Sequence, residues 1–271
     1  MKNQAFETRR ISPTIGLEIN GLDLSEPLND STLSEIKEAF LEHHLLVFRD
    51  QNLSPAQQLA FAEAMGEPDI YPFVDGLDGF PMITPIIKSP EDKVNFGGLW
   101  HSDTAYMQEP PKATMLLAHE VPPTGGDTLF ASQVAAYESL SDGMKELLAP
   151  LKGVNSSDKA ASKRPGMRTD AKPLEATHPV IRTHPESGKK SLYINFGHTM
   201  RFETMTEEES QPILEWLFSH QIRPEFQARV NWRPGTLVMW DNRSCLHYPL
   251  NDYHGHRREM HRITLKGDKP S

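Results

Sequence analysis

From about residue 82 onward the chain is a succession of short β-like runs. They are Met82–Ile87, Thr114–Ala118, Val180–Thr183, Ser191–Asn195, Ala228–Trp232, Thr236–Trp240 and Arg262–Leu265. Turn clusters such as Pro122–Gly126 and Pro185–Gly188 separate many of them. Two helical stretches interrupt the series, roughly Val134–Leu148 and Glu207–Phe218. The second opens on Thr206 and Glu209, a capping-box pattern. Many short strands with few helices predict a barrel or a jelly roll, and a sandwich satisfies the same pattern.

The first part reads as mixed α and β. Asp30–Ser31 precede Leu33, Ile36, Phe40 and Leu41, an apolar set at helical spacing. The run Leu45–Phe48 has the look of a buried strand. Ser54–Pro55 with Gln57 predicts a helix start, and that helix carries Leu59, Phe61 and Met65 and ends at Gly66. No internal repeat divides the chain, so residues 1–271 are expected to form one domain. Residues 156–176 stand apart as polar and basic, with Lys159, Lys163, Arg164, Arg168 and Lys172. That composition suits a solvated surface loop or a lid over an anionic substrate.

Net charge is −9, which argues against general nucleic-acid binding, since that relies on clustered Lys and Arg against phosphates. A small anionic substrate stays open, because a pocket can be locally basic inside an acidic protein. With Cys245 as the one cysteine, neither a disulfide framework nor a cysteine-based zinc site is available, and a reducing cytoplasm is the expected compartment. No signal-peptide stretch and no run of about 18 apolar residues is present, so no membrane partner is expected.

The chemistry begins with His101-Ser-Asp103. On a strand, residues i and i+2 face the same side, so a histidine nitrogen and a carboxylate oxygen can meet one metal ion. The pair alone is weak: 12 histidines and 37 acidic residues in 271 positions give roughly one or two such pairs by chance. A second pair, His184/Glu186, sits in a His-Pro-Glu-Ser-Gly turn and reads as having no chemical role. The setting lifts the first. Gly97 and Gly98 let backbone approach closely, with Trp100 and Tyr106 as apolar walls. PPTGGDT follows at Pro122–Thr128. The stretch from Trp240 to Asp268 opens with WDNR and carries His247, a candidate third ligand, then Arg258 and Arg262. The two arginines are four apart, so one extended strand would present both on one face. Cys245 lies two residues before His247 and reads as a small packed residue; Trp240 reads as packing near the site.

H-x-D, TGGDT, WDNR, histidine and paired arginines, in this order, resemble the taurine dioxygenase and 2,4-dichlorophenoxyacetate dioxygenase (TauD/TfdA) family. The resemblance runs from Ile15–Asp23 to the closing KGDKP. It implies a mainly β fold with flanking helices, a double-stranded β-helix (jelly roll, cupin-like). It also implies Fe(II), 2-oxoglutarate and O2, with His101, Asp103 and His247 as metal ligands and catalytic residues. This is the facial triad of non-haem iron oxygenases. By the same resemblance Thr128 and Arg258 hold the far carboxylate of 2-oxoglutarate, and Arg262 lies near both co-substrate and the substrate's anionic group. Asp103 fills the position a halide would take, so the hydroxylating members are the better guide. Family members are commonly homo-oligomers, dimers or tetramers.

The implied reaction is hydroxylation of a small organic acid (a sulfonate, sulfate ester or carboxylate), with succinate and CO2 as co-products. Desaturation or carbon–heteroatom cleavage with the same cofactors is an alternative outcome, and a non-catalytic metal-binding jelly roll is a third reading. Where the taurine enzymes place a sulfonate-binding histidine, this chain has Tyr71. Val74 and Gly97 replace two further polar contacts, although Asn95 is close. Tyr71, Thr104 and Tyr106, with Phe73 and Leu99, therefore predict a more apolar substrate pocket and a larger, more lipophilic acid than taurine.

Overall fold

A computed structural model of the protein describes residues 6–161 and 174–271. Strands β1 (Glu7–Arg10) and β2 (Leu17–Asn20) precede helix α1 (Asp30–His43), strand β3 (Leu45–Phe48) and helix α2 (Pro55–Met65). Next come β4 (Pro68–Asp69), β5 (Thr84–Lys88), β6 (Ala113–Glu120) and β7 (Thr128–Ser132). Helices α3 (Gln133–Glu138) and α4 (Asp142–Leu148) lead to β8 (Lys152–Ser156) and α5 (Asp158–Ala161). The rest is β9 (Glu175–Pro179), β10 (Ile181–Thr183), β11 (Lys190–Leu192), β12 (Thr199–Phe202), α6 (Glu207–His220), β13 (Gln227–Val230), β14 (Leu237–Asp241), β15 (Cys245–Pro249) and β16 (Arg258–Leu265).

The helix signals act as expected. Ser54 and Gln57 cap α2 reciprocally, Thr206 and Glu209 do the same for α6, and Asn29 caps α1. The expected helix over Val134–Leu148 is two helices instead. Ser139 closes α3, and the Ser141 side chain accepts from Met144 N to start α4. An apolar period cannot reveal that break, because a serine cap restarts a helix without disturbing the period.

The large sheet runs β1-β2-β3-β14-β6-β16-β4, with β5 also paired to β16. A smaller sheet runs β13-β7-β15. Leu46, Phe48, Met115, Leu117, Leu237, Met239, Ile263 and Leu265 lie on one face of the large sheet, beneath Ile36 and Phe40 of α1 and Phe61 and Met65 of α2. Alternating with them, Leu45, Val47, Val238, Trp240 and Met260 pack against Phe130, Ala228, Val230 and Cys245 of the small sheet. Both faces of β3 are thus covered, which is why Leu45–Phe48 is an unbroken apolar run. Two sheets enclosing a core, with helices on the outside, make the jelly roll. Residues 162–173, where most of the expected loop or lid at 156–176 falls, lie outside the described residues. Among the described residues no helix is long and apolar enough to cross a membrane.

Candidate active site

The core-facing side of the large sheet ends in a cavity lined by residues far apart in sequence. His101, Asp103, Thr128, His247, Arg258 and Arg262 all line it. His101 and His247 form an isolated antiparallel bridge in which each backbone N–H donates to the other's carbonyl, at 3.1 and 2.9 Å. Residues paired in this way project side chains to the same face, and the two rings lie 4.1 Å apart between centroids. His101-x-Asp103 is therefore not a strand pair, as its spacing suggested. His101 is a bridge residue, and a turn begins at Asp103. That turn holds Thr104 at φ 43°, a strained setting for a β-branched residue. Gly97, at φ +71°, permits the approach of the preceding loop. A Cβ there would stand 2.9 Å from His101 Cε1.

One ligand atom each from His101, Asp103 and His247 lie within 4.8 Å of one another, and all three residues are buried. The His101 Nδ1 hydrogen bond to the Leu99 carbonyl, 2.7 Å, requires the proton on Nδ1 and leaves Nε2 a lone pair. Nε2 lies 3.8 Å from Asp103 Oδ1. The other carboxylate oxygen is already used, because the Thr114 hydroxyl donates to Oδ2 at 2.6 Å. Asn242 Nδ2 donates to that same hydroxyl at 2.9 Å, so the single hydroxyl proton must point at Asp103. Asn242 is itself fixed. Its Oδ1 accepts from Trp240 Nε1 at 3.1 Å and from Asp103 N at 3.3 Å, and its carbonyl accepts from Ser102 at 2.8 Å.

Electrostatics suit a metal. Burial, the largest single influence, would raise the Asp103 pKa, but the charges of Arg262, His247 and His101 and the Thr114 hydrogen bond together outweigh it, so the carboxylate stays ionised. Burial pushes His247 well below its usual value, leaving a neutral imidazole. Arg262 Nη2 is 3.0 Å from Asp103 Oδ1, a charge contact without hydrogen-bond alignment. Its guanidinium lies over the Tyr71 ring at 4.7 Å.

Arg258 and Arg262 share a face of β16, as their even spacing predicts. Arg258 is 6% exposed, yet Nε and Nη2 have no hydrogen-bond partner among the described residues. Its guanidinium sits 5.5 Å from the Trp232 ring. Trp232 Nε1 donates to Thr128 Oγ1 at 3.0 Å, which leaves the Thr128 hydroxyl proton free for another acceptor. The left-handed Gly125–Gly126 pair of TGGDT delivers Thr128 to this point, with Gly126 N donating to Asp252 Oδ1 at 2.7 Å. Two buried donors without partners beside a free hydroxyl fit a carboxylate.

Tyr71 is buried against Phe73, Phe96 and Arg262. Tyr106 packs on Phe73 and on His198, and the His198 ring in turn meets His101 at 5.9 Å. Tyr71, Thr104 and Tyr106 flank the triad rather than line the cavity wall. Leu99 is 37% exposed. The apolar wall comes instead from Ile86, Phe96, Leu116, Trp232, Trp240 and Pro249, of which the sequence singled out Trp240 alone. Cys245 is packed, with Sγ 3.1 Å from the Asp241 carbonyl. The His184/Glu186 pair has a role after all, though not at the cavity. His184 bonds Asp241 at 3.0 Å, Arg243 bonds Asp241 at 2.8 and 2.7 Å, and Glu186 bonds Arg243 at 2.5 Å. This network, buried except at Glu186, ties down the turn that carries Asn242.

A jelly roll with two histidines and a carboxylate at one end, beside a buried arginine with unused donors, has the architecture of a non-haem iron oxygenase with an acidic co-substrate. The family model described as "Taurine catabolism dioxygenase TauD, TfdA family" matches residues 7–264. An alkylsulfatase from Acinetobacter baylyi is 35% identical over 98% of this chain and 86% of the relative. An alpha-ketoglutarate-dependent sulfate ester dioxygenase from Pseudomonas putida is 32% identical over 98% of this chain and 91% of the relative. The crystal structure of a taurine dioxygenase from Burkholderia xenovorans superposes with a TM-score of 0.83 at 32% identity, covering 98% of this chain and 90% of that one. The chain belongs to the TauD/TfdA dioxygenase family, whose cofactors are Fe(II), 2-oxoglutarate and O2.

Proposed function

We propose that this dioxygenase oxidises a lipophilic organic acid, with His101, Asp103 and His247 holding iron(II). The observation that carries the reading is the buried three-ligand cluster, which shares one cavity with Arg258, whose Nε and Nη2 have no hydrogen-bond partner among the described residues. Iron(II) bound there, with 2-oxoglutarate and O2, supplies oxidation of an unactivated C–H bond and yields succinate and CO2. Arg258 and the Thr128 hydroxyl hold the distal carboxylate of 2-oxoglutarate and so set its direction toward the triad. Trp232 keeps the Thr128 proton available by occupying a lone pair. The Leu99 carbonyl and the Thr114 hydroxyl orient His101 and Asp103. Arg262 draws the substrate's acid group toward the triad, with Tyr71, Thr104 and Tyr106 shaping its surroundings. Ile86, Phe96, Leu116 and Trp240 exclude water and favour an apolar chain.

The substrate class is an organic sulfate or a related acid larger than taurine. The apolar wall supports this, as do relatives described as an alkylsulfatase and a sulfate ester dioxygenase. On such a substrate, hydroxylation at the carbon bearing the ester oxygen gives a product that collapses to an aldehyde and sulfate, so cleavage is the expected outcome there. The same reading has one catalytic domain working in the cytoplasm as a homo-oligomer, dimer or tetramer, without nucleic-acid or membrane partners. Sedimentation of the purified chain tests the oligomer. The function is tested by succinate release with hexyl sulfate, a phenoxyacetate and taurine. Hexyl sulfate should lead, with aldehyde and sulfate formed in step. Dominant turnover of taurine sinks the lipophilic reading, and a fully active His247→Ala sinks the metal assignment.

A further inference from the structure

Beside Arg258 the catalytic cavity adjoins a larger one, about 840 Å³ of empty space including its mouth. Ile86, Phe96, Pro249 and Arg258 line both. Lys88, the last residue of β5, lines the second and is only 6% exposed. In the β5–β16 register it stands directly opposite Arg258. Like charges so placed repel, and a buried charge without a counter-charge is costly. Yet Lys88 Nζ has no hydrogen-bond partner among the described residues. It lies over the Tyr253 ring, 4.3 Å from the centroid, and the Arg258 guanidinium lies 6.0 Å from the same ring.

The neighbouring carboxylates make their hydrogen bonds elsewhere, although the Asp127 charge is felt at Arg258. Asp127 binds Arg229 at 2.6 Å and Asn231 at 3.0 Å. Asp252 accepts from Gly126 N. Asp92, which lines the second cavity, accepts from Ser89 N at 2.8 Å. Tyr253 shares a side-chain hydrogen bond with Arg258, but Arg258 Nε and Nη2 and Lys88 Nζ have no partner among the described residues, and two adjacent buried cations with such donors call for an anion from outside the chain.

We propose that Lys88 is the second cation of an oxyanion site shared with Arg258 at the boundary of the two cavities. The site takes a carboxylate, sulfonate or sulfate group. It rests on the reading of Arg258 given above and adds Lys88 to it. Two ligands carry that chemistry: 2-oxoglutarate through its distal carboxylate, and the organic substrate through its acid head.

The test is calorimetric titration of the anaerobic iron(II) enzyme and its Lys88→Met, Lys88→Arg and Arg258→Met variants. The titrants are 2-oxoglutarate and, with 2-oxoglutarate saturating, hexyl sulfate. Lys88→Met should weaken one of them by about 10- to 100-fold, the loss expected of one charge-assisted hydrogen bond. The ligand affected identifies the source of the anion. Lys88→Arg should stay within a few-fold of the parent. The ligand-free Tm of Lys88→Met should equal or exceed the parent's, because a buried uncompensated charge has been removed. Affinities within twofold for both ligands overturn the proposal. So does a clear fall in ligand-free Tm, which would mean that the protein itself satisfies the ammonium. If Arg258→Met and Lys88→Met both leave 2-oxoglutarate affinity intact but both weaken hexyl sulfate, the co-substrate reading of Arg258 fails and the shared site stands; a ligand weakened by Lys88→Met but not by Arg258→Met overturns the shared site.

Discussion

Thr114→Val tests whether Asp103 is aimed by the network beneath it. Valine matches threonine in shape, so it opens no cavity; it removes a hydroxyl that donates to Asp103 Oδ2 at 2.6 Å and accepts from Asn242 Nδ2 at 2.9 Å. Thr114 and Asn242 are essentially unexposed and Asp103 is 5% exposed, so water cannot readily replace either bond. The bond to the ionised carboxylate is worth about 1.5–3 kcal/mol and the neutral one about 1 kcal/mol. The ligand-free fold should therefore lose about 3 kcal/mol, a fall in Tm of roughly 5 °C for a chain of this size. With Oδ2 released, the carboxylate can rotate and Oδ1 is no longer held toward the histidines. Loss of such a support typically weakens metal binding by about 10- to 100-fold. Calorimetric titration with cobalt(II) reads the affinity and differential scanning fluorimetry the Tm, with Thr114→Ser as the rescue. A Thr114→Val protein that binds cobalt(II) within threefold of the parent refutes the positioning argument, whatever its Tm.

Other outcomes follow from the same geometry. Arg258→Met should raise the Kd for 2-oxoglutarate by about 10- to 100-fold, since it removes a charge-assisted pair worth about 1.5–3 kcal/mol; quenching of intrinsic fluorescence by the co-substrate measures this. Asp241→Ala should destabilise the fold by about 3–5 kcal/mol, because Arg243, 2% exposed, loses the carboxylate that binds it at 2.8 and 2.7 Å; denaturant unfolding gives the value. His44 is buried, and its pKa is pushed down to about 4 chiefly by burial. Below pH 6.5 the unfolded chain takes up a proton that the folded one refuses, so stability should fall as pH drops from about 6.5 to about 4, by about 3 kcal/mol in total. His44→Asn, which tolerates the left-handed φ of 60° at this position, should flatten that part of a Tm–pH profile.

Local signals carried much of this protein. Caps at Ser54 and Thr206 act within one turn of chain, so the starts of α2 and α6 were legible, and Leu45–Phe48 showed its two-sided burial through unbroken apolarity. The order H-x-D, TGGDT, WDNR, His247, Arg258, Arg262 was enough to reveal the family. The even spacing of the arginines is enough to put them on one face of β16.

What the tertiary structure decided was every relation made across strands. His101 meets His247 through a bridge, not along a strand, and no local pattern encodes a pairing between residues so far apart. Thr114 and Asn242 look like ordinary sheet and turn residues until β6 and the β14–β15 turn bring them together beside Asp103. Trp232, Ile86 and Leu116 read as core, and His184/Glu186 as an idle turn, because burial and partnership belong to the packed molecule. Lys88 became informative only when β5 was laid against β16, with a second buried cation opposite it. Sequence periodicity records which way a side chain faces; what it faces depends on which elements pack there.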